Sequence, residues 1–403
     1  MSAPVGTGPA RILVLDGHSP AALAFTRSLG RAGHWIAVGS NTGIGAPAEV
    51  SRYCKLSFRY PVPSEDAAGF IDAVLDFVRQ NAIELIVPAT DWTVAPLSRN
   101  REKFAGVSQL ALGPDSALEF AADKFRTVEL ARELGIAVPE TALVRSVSDL
   151  KEAVRSFPVV VKDRFSARWE GNRAVLGSVA YAYSAEDLKE KVERRLRAAG
   201  DVLVQQFVFG SGVGYSCMVA GDGIYAPFMW LRIRETDPRG SGSSARKSIP
   251  LAPAISGPSA ELLKRIGLQG IGMVEFKQPP SGPPVLMEIN ARPWGSMQLA
   301  ISSGVDYPNY LAGWMLAGEL PGKKIDYKTG VVCRRMVSEL THLEHVYHGK
   351  PAGWPGDYPK LLPTMIKIAA PWYPGMCYDD VWLSDLRPGL AGLSQWFRSR
   401  SGR

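Results

Sequence analysis

The chain is poor in cysteine and histidine. Its four cysteines, Cys54, Cys217, Cys333 and Cys377, lie far apart, and it has five histidines in 403 residues. With no CxxC pair, a zinc or redox motif of that kind is excluded. A disulfide framework is not expected, and a reducing cytoplasm is the expected location. Long apolar runs are also absent, so no transmembrane segment is expected. The N-terminal MSAPVGTGPARILVLDG lacks the basic start and long apolar core of a signal peptide. No Lys/Arg-rich block marks a nucleic-acid arm, and no nucleic-acid partner is expected. The formal net charge of +7 is mild for this length and suits anionic ligands such as nucleotides or acidic substrates. Three catalytic signatures are missing. DGHSPA stands where a GxGxxG fingerprint would be, which weighs against a dehydrogenase; no GxxxxGK[ST] phosphate loop occurs; and no GxSxG elbow or Cys/His pairing marks a covalent nucleophile.

What is present is an ordinary globular composition, 46% hydrophobic, in a chain long enough for two or three domains. Residues 1–10 are small and Gly/Pro-rich and are expected to be disordered. RILVLDGHSPAALAFTRSLGRAGHWIAVGS then reads strand, helix, strand: Ile12 to Leu15 is a buried parallel-type run, Leu23, Phe25 and Leu29 mark a packed helix, and Gly33 ends it. IELIVPATD and VSQLALGP supply further strands, so a parallel α/β sheet of Rossmann type is expected over about residues 1–115. Asp91 follows one strand end in PATDW. It is a candidate substrate contact at a sheet crevice, or a helix N-cap after Thr90.

Beyond residue 115 the pattern changes. ADKFRTVELARELG reads as a helix stopped by Gly135, SVSDLKEAVRSF as a short helix, PVVVKD as a strand, and YSAEDLKEKVERRLRAAG as a helix opened by a Ser184/Asp187 capping box. VLVQQFV is a strand, FGSGVG a hairpin turn, and YSCMVAGDGIYAPFMWLRI two antiparallel strands joined at Gly221–Gly223. A second, mostly antiparallel unit with helices is therefore expected. The Trp/Pro/Tyr-rich tail from about 320 resists assignment, except that LAGLSQWFRSRSGR reads as a basic amphipathic terminal helix with a solvated end, the alternative being contact with a membrane surface. No internal repeat is found.

The chemistry concentrates in GMVEFK and LMEINARPWGS. Side chains alternate along a strand, so Glu288, Asn290 and Arg292 share one face, and Glu275 faces them if the two segments form a hairpin through QPPSGPP. Two carboxylates and an amide oxygen make a hard, all-oxygen set that suits Mg²⁺. An arginine beside them fits a phosphate or an oxyanion. Lys162 ends the apolar run PVVVKD, and Lys124 opens the helix after AAD; together they form a cationic counter-pole for a nucleotide. His342, His345 and His348 stand at three-residue steps, but no cysteine or acid set completes a zinc site, and an ordinary helix face is the expected reading. The segment Arg232–Lys247, with Arg232, Arg234, Arg239, Arg246 and Lys247, reads as a flexible basic loop that closes on a carboxylate substrate, or as an ordinary solvated loop.

These segments resemble the ATP-grasp superfamily over about residues 10–320. EINARPWGSMQLAISSGVDYP, with the upstream GMVEFK, is similar to the branch described as carbamoyl-phosphate-synthase-like, and LRIRETDPRGSGSSARKS to that branch's glycine-rich substrate loop. The resemblance implies a pre-ATP-grasp Rossmann-like domain at 1–115, an α+β ATP-grasp domain at 116–325 with a mobile lid at about 140–205, and a C-terminal extension at 326–403. It implies that Lys124 and Lys162 hold the phosphates of ATP. Gln205 meets the adenine amino group, and Gln206 and Val208 meet the base through their backbones. Glu275, Glu288 and Asn290 bind one or two Mg²⁺, with Mn²⁺ an admissible substitute, and Arg292 steadies an acyl phosphate or tetrahedral intermediate. Asp91, Arg232 and Arg246 remain substrate candidates. The implied activity joins a small-molecule carboxylate to an amine at the expense of ATP. The rivals are a bicarbonate-dependent carboxyphosphate or carbamoyl-phosphate former and a non-catalytic ATP-binding protein. A homodimer is left open. Two departures stand out: Gln205 replaces the family's frequent Glu, and the lid segment RFSARWEGNRAVLG has only Gly171 and Gly177.

Overall fold

Strand β1 (Arg11–Val14) explains its own sequence. Ile12 and Val14 feed one core with Leu23, Phe25 and Leu29, while Leu13 feeds a second core with Phe70, Ile71, Val74 and Val78. Both faces are covered by helices, so the strand is apolar without alternation. With β2 (Trp35–Ser40), β3 (Cys54–Arg59), β4 (Leu85–Val87) and β5 (Gln109–Leu110) it forms a parallel sheet in the order β3-β2-β1-β4-β5. The computed structural model describes residues 8–42, 45–150, 156–370 and 375–401. The disorder expected at the N-terminus falls largely outside these residues. Of the helix expected over SVSDLKEAVRSF, Val147–Asp149 form a 3-10 turn and residues 151–155 lie outside the description.

The second sheet is small and antiparallel. β6 (Thr141–Val144), β7 (Val159–Asp163), the hairpin β8 (Ala167–Glu170) and β9 (Arg173–Leu176), β10 (Val179–Ala182) and β11 (Val202–Gln206) follow in the chain, and β10-β7-β11-β6 pair in that order. Val159, Val161, Val202 and Val204 pack on Leu188 and Val192 of the helix Ala185–Ala199. Strand alternation therefore sends Val160, Lys162 and Gln205 to the opposite face. Half of the expected capping box forms: Ser184 accepts from Asp187 N, but Asp187 accepts from Tyr183 N rather than from Ser184 N, so the reciprocal bond is absent.

The third sheet has seven strands: β12 (Ser211–Ala220), β13 (Gly223–Asp237), β14 (Ser241–Ile249), β15 (Gly270–Gln278), β16 (Val285–Asn290), β17 (Val332–Arg334) and β18 (Met376–Tyr378), in the order β16-β15-β12-β13-β14-β17-β18. One face buries Val213, Tyr215, Val274, Phe276, Leu286 and Ile289 with Leu262 and Leu263 of the helix Pro253–Arg265. On the other, Phe228, Trp230 and Met273 join Trp294 and Tyr307 in one continuous core with β1. Residues after 325 thus complete this sheet with two strands. Among the described residues no helix is long and apolar enough to cross a membrane.

Two expectations are corrected here. FGSGVG is not a hairpin turn: it carries the chain from β11 in the small sheet to β12 in the large one, and Gly212 and Gly214 lie inside β12. Arg232–Lys247 is not a flexible loop either. It is the β13–β14 hairpin, turning at residues 238–240; Arg232, Arg234 and Arg246 are held by distant acids and Arg239 by the nearby Asp237.

Candidate functional site

Register places the acids. Glu288 on β16 pairs with Glu275 on β15, Glu275 with Gly214 on β12, and Gly214 with Trp230 on β13. Two residues further along each strand, and hence on the same face, Gly212 pairs with Lys277, Arg232 with Arg246, Arg246 with Cys333, and Cys333 with Cys377. One face of the large sheet therefore runs from carboxylates at one edge, across two glycines, to arginines and thiols at the other. The glycines are a steric requirement. A Cβ on Gly214 would lie 2.1 Å from Trp230 Cε2, and one on Gly212 would lie 2.5 Å from Arg232 Cδ. Both large side chains lie across the bare backbone of β12, which lets Arg232 donate to Glu275 beyond it.

This face and the Lys162 face of the small sheet enclose a cavity of about 940 Å³. Lys162, Gln205, Gln206, Val208, Arg232, Arg246, Glu275, Glu288, Asn290 and Arg292 all line it. Lys124 and Asp91 are not on its wall. Lys124 begins the helix Lys124–Glu133, whose cap Asp123 accepts from Phe125 N and Arg126 N and is paired with Arg164 at 2.7 Å. Its ammonium donates to Ser166 in the β7–β8 connection. Asp91 opens the helix Asp91–Arg99 and receives a two-pronged contact from Arg292, with Nε and Nη2 each 2.7 Å from a carboxylate oxygen. The N-cap reading of Asp91 is corrected: Thr90 stands at the cap, and Asp91 is the first residue of the helix, with its carboxylate on Arg292.

The electrostatics follow from burial. Desolvation pushes Lys162 below the usual lysine range; Glu288 opposes the shift and Lys124 adds to it. Desolvation also lowers Lys124, against the pull of Glu288 and Asp91. Burial raises Glu275 above the usual carboxylate range even though Arg232 pulls it down, and Glu288 across the hairpin adds to the rise. Burial would raise Asp91 too, but the Arg292 guanidinium outweighs it and holds the carboxyl below its ordinary value. Arg292 and Arg232 are raised in turn because their acids outweigh desolvation.

Hydrogen bonds orient the neutral groups. Thr141 spends its hydroxyl proton on the Pro139 carbonyl, so towards Gln205 it accepts, and Gln205 Nε2 faces it at 3.0 Å. The remaining group of Gln205 is its carbonyl oxygen, an acceptor. Asn290 Nδ2 donates to Glu288 Oε1 at 2.9 Å, which leaves Asn290 Oδ1 as a ligand oxygen beside the two carboxylates. This all-oxygen set fits Mg²⁺, which takes few protein ligands and completes its shell with water and phosphate.

The structure adds wall residues that the sequence reading missed: Tyr181, Trp230, Trp294, Arg335 and Asp379. Trp230 had a signal, because it sits two residues before Arg232 on one strand face; Arg335 and Asp379, in the unassigned tail, had none. The three histidines lie on the helix Met336–His348, where His342 Nδ1 meets the Glu235 carbonyl at 2.7 Å, and among the described residues no metal-binding cluster of His, Cys, Asp and Glu occurs.

Residues 232–337 match a family described as ATP-grasp in the biosynthetic pathway with Ter operon. A probable alpha-L-glutamate ligase of Thioalkalivibrio sulfidiphilus is 30% identical over 197 residues, 47% of this chain and 62% of the relative, so the chain spans less than two thirds of that protein's length. Among solved structures, L-amino acid ligase from Bacillus licheniformis superposes with a TM-score of 0.59 at 15% identity, covering 77% of this chain and 75% of that one. The biotin carboxylase domain of Hydrogenobacter thermophilus 2-oxoglutarate carboxylase, solved with MgADP and bicarbonate, gives a TM-score of 0.60 at 15% identity, covering 80% and 73%. The fold, a parallel sheet followed by an antiparallel and a mostly antiparallel sheet closing on a cavity, is similar to that of these ligase and carboxylase structures, and residues 232–337 are similar to an ATP-grasp family.

Proposed function

We propose that the protein is an ATP- and Mg²⁺-dependent ligase that activates a carboxylate as an acyl phosphate and joins it to an amine. The observation that carries this reading is the register pairing of Glu275 with Glu288, with Asn290 beside them and Lys162 on the facing sheet of the same cavity. Lys162 holds phosphate oxygens, and Lys124, off the cavity wall with its ammonium on Ser166, supports them by its charge. The Gln205 carbonyl accepts from the adenine amino group, and the backbone at Gln206 and Val208 meets the base. Glu275, Glu288 and Asn290 hold Mg²⁺, which when bound neutralises charge on the phosphate oxygens. A substrate carboxylate oxygen attacks the γ-phosphorus and ADP leaves. The amine nitrogen then attacks the acyl carbon, phosphate leaves, and a proton is released. Arg292 lends its free N–H groups to the charge that develops on the acyl phosphate oxygens. The residues act by positioning and charge, with no covalent nucleophile, and the cavity keeps water from the reactive intermediate.

The test is an ADP-release screen over small carboxylates and amines, with hydroxylamine as a surrogate amine. An acyl phosphate is trapped as a hydroxamate, read by product mass. ADP release without hydroxamate at saturating hydroxylamine removes the acyl phosphate. Release that depends only on bicarbonate assigns carboxyphosphate chemistry instead, and MgADP binding with no turnover under any mixture assigns a nucleotide-binding role.

A further inference from the structure

The end of the cavity away from the acid row is built by the tail of the chain. Arg246 on β14 is 1% exposed and Asp379, just after β18, is 4% exposed on its side chain; the two form an ion pair, and Cys333 Sγ donates to the same oxygen, Asp379 Oδ1, at 3.1 Å. Each keeps one buried polar atom without a partner, Nε of Arg246 and Oδ2 of Asp379. Both residues line the cavity. Arg335, which follows β17, lines it too; Asp379, Asp380 and Arg246 surround its charge, yet among the described residues nothing hydrogen-bonds to its guanidinium. Buried polar atoms are normally satisfied, and leaving one unpaired costs about 1–3 kcal/mol. Here unpaired donors and an unpaired acceptor converge on one wall.

The backbone does not account for them. The helix Met336–His348 begins beside Arg335, but its first free N–H groups are already taken: Met336 N and Val337 N donate to the Asp380 carboxylate at 3.2 and 3.4 Å. An anion on this wall is therefore held by side-chain guanidinium. The acceptor, Asp379 Oδ2, calls for a cationic donor close by. A ligand that carries a carboxylate and an ammonium on neighbouring atoms meets both demands and brings no net charge into a pocket whose own arginines and aspartates are nearly balanced.

We propose that Arg335, Arg246 and Asp379 form a recognition subsite for an α-amino acid, the guanidinium groups taking its carboxylate and Asp379 taking its ammonium. The proposal rests on the ligase reading for its place in a reaction, but the binding event is separable from turnover. It makes the tail a specificity-determining part of the site. At about 940 Å³ the cavity lies near the top of the roughly 300–1,000 Å³ range of single-ligand sites, which suits a nucleotide with a second small molecule.

The experiment is calorimetric titration of the full chain, saturated with MgADP, with each of the twenty standard L-amino acids, and then with the deaminated acid and the decarboxylated amine of the one that binds best. Binding of at least one amino acid, weakened about 10- to 100-fold by removal of either charged group, is expected. Arg335→Ala should lose the same affinity with unchanged MgADP binding and a cooperative melt, since Arg335 meets Asp379 and Asp380 by charge alone and no hydrogen bond among the described residues ties its guanidinium to the fold. Asp379→Asn, which also unpairs Arg246, serves as the second variant, and should penalise the amino acid more than its deaminated acid. If none of the twenty binds, or if binding is indifferent to Arg335→Ala, the subsite is overturned. ATP turnover with non-amino-acid carboxylates together with no amino-acid binding sinks this inference and leaves the ligase reading; amino-acid binding that needs Arg335 with no ATP turnover does the reverse.

Discussion

Asp91→Asn probes how the candidate catalytic arginine is aimed. Arg292 has five N–H donors. Two go to Asp91 at 2.7 Å each, and a third, from Nη1, goes to the Pro293 carbonyl at 2.9 Å. Two are left for a substrate, pointed by the fork that Asp91 grips. Asparagine keeps the shape but offers one oxygen and one NH₂, so one of the two bonds becomes donor against donor. Breaking a fully buried pair would cost about 3–5 kcal/mol. The Asp91 side chain is 40% exposed and that of Arg292 22%, so water solvates much of what is released, and roughly 1–2 kcal/mol of stability is at stake. That lowers the melting temperature by a few degrees, at about 2–4 °C per kcal/mol or less for a chain of this size. The effect on chemistry is larger, because a guanidinium misplaced by an ångström costs about 100-fold. The expected outcome is a fall in kcat of about ten- to a hundredfold, with MgADP affinity unchanged. The assay is ADP release under saturating ATP beside a thermal melt and an MgADP titration. Because the folded-state Asp91 carboxyl is depressed, its stabilisation is present above about pH 4 and fades as pH falls through that lowered value. The gap in melting temperature between wild type and variant should persist from neutrality down to that point. A variant with normal kcat and a lower melting temperature would show that the pair only fastens the parallel-sheet unit to β16.

Glu288→Gln keeps size and removes a charge; turnover should collapse while the fold survives, and ADP formation against Mg²⁺ concentration beside a thermal melt checks this, with normal metal dependence counting against the two-carboxylate site. The same variant should move the alkaline limb of MgADP binding to lower pH, because Glu288 is the main group supporting the charge on a Lys162 that burial already disfavours. Lys162→Met should weaken MgADP by about 10- to 100-fold, the value of roughly 1.5–3 kcal/mol for a charged hydrogen bond, with substrate binding less affected. Unchanged nucleotide affinity in calorimetry would take Lys162 out of the site.

The acid row was legible because its residues obey a period of two within apolar strands, and the hairpin through QPPSGPP brings Glu275 opposite Glu288 as that period requires. The β13–β14 hairpin was not. Three of its arginines read as part of a basic loop, since the acids that hold them lie far along the chain: Glu275 for Arg232 at 43 residues, Glu339 for Arg234 at 105, and Asp379 for Arg246 at 133. Nothing local announces such partners. β17 and β18 have three residues each, too short to show a period, and both depend on the larger sheet to exist. β3 was missed for a related reason: CKLSFR is an edge strand with its side chains half in water, so no apolar run marks it.

The bare stretch of β12 also constrains how this cavity can change over generations. Every replacement of Gly214 adds at least one carbon where the Trp230 ring already lies, and every replacement of Gly212 adds one where the Arg232 stem lies. Neither glycine has a tolerated neighbour in mutational space while its partner stays large. Shrinking Trp230 first opens the floor, but at the expense of a side chain that is 1% exposed and shared with the core under β1. The two glycines and the two side chains above them therefore have to vary as linked pairs. A lineage that reshapes the substrate end of this pocket will find its accessible single steps on the tail of the chain, at Arg335 and Ser338, rather than on the central strand.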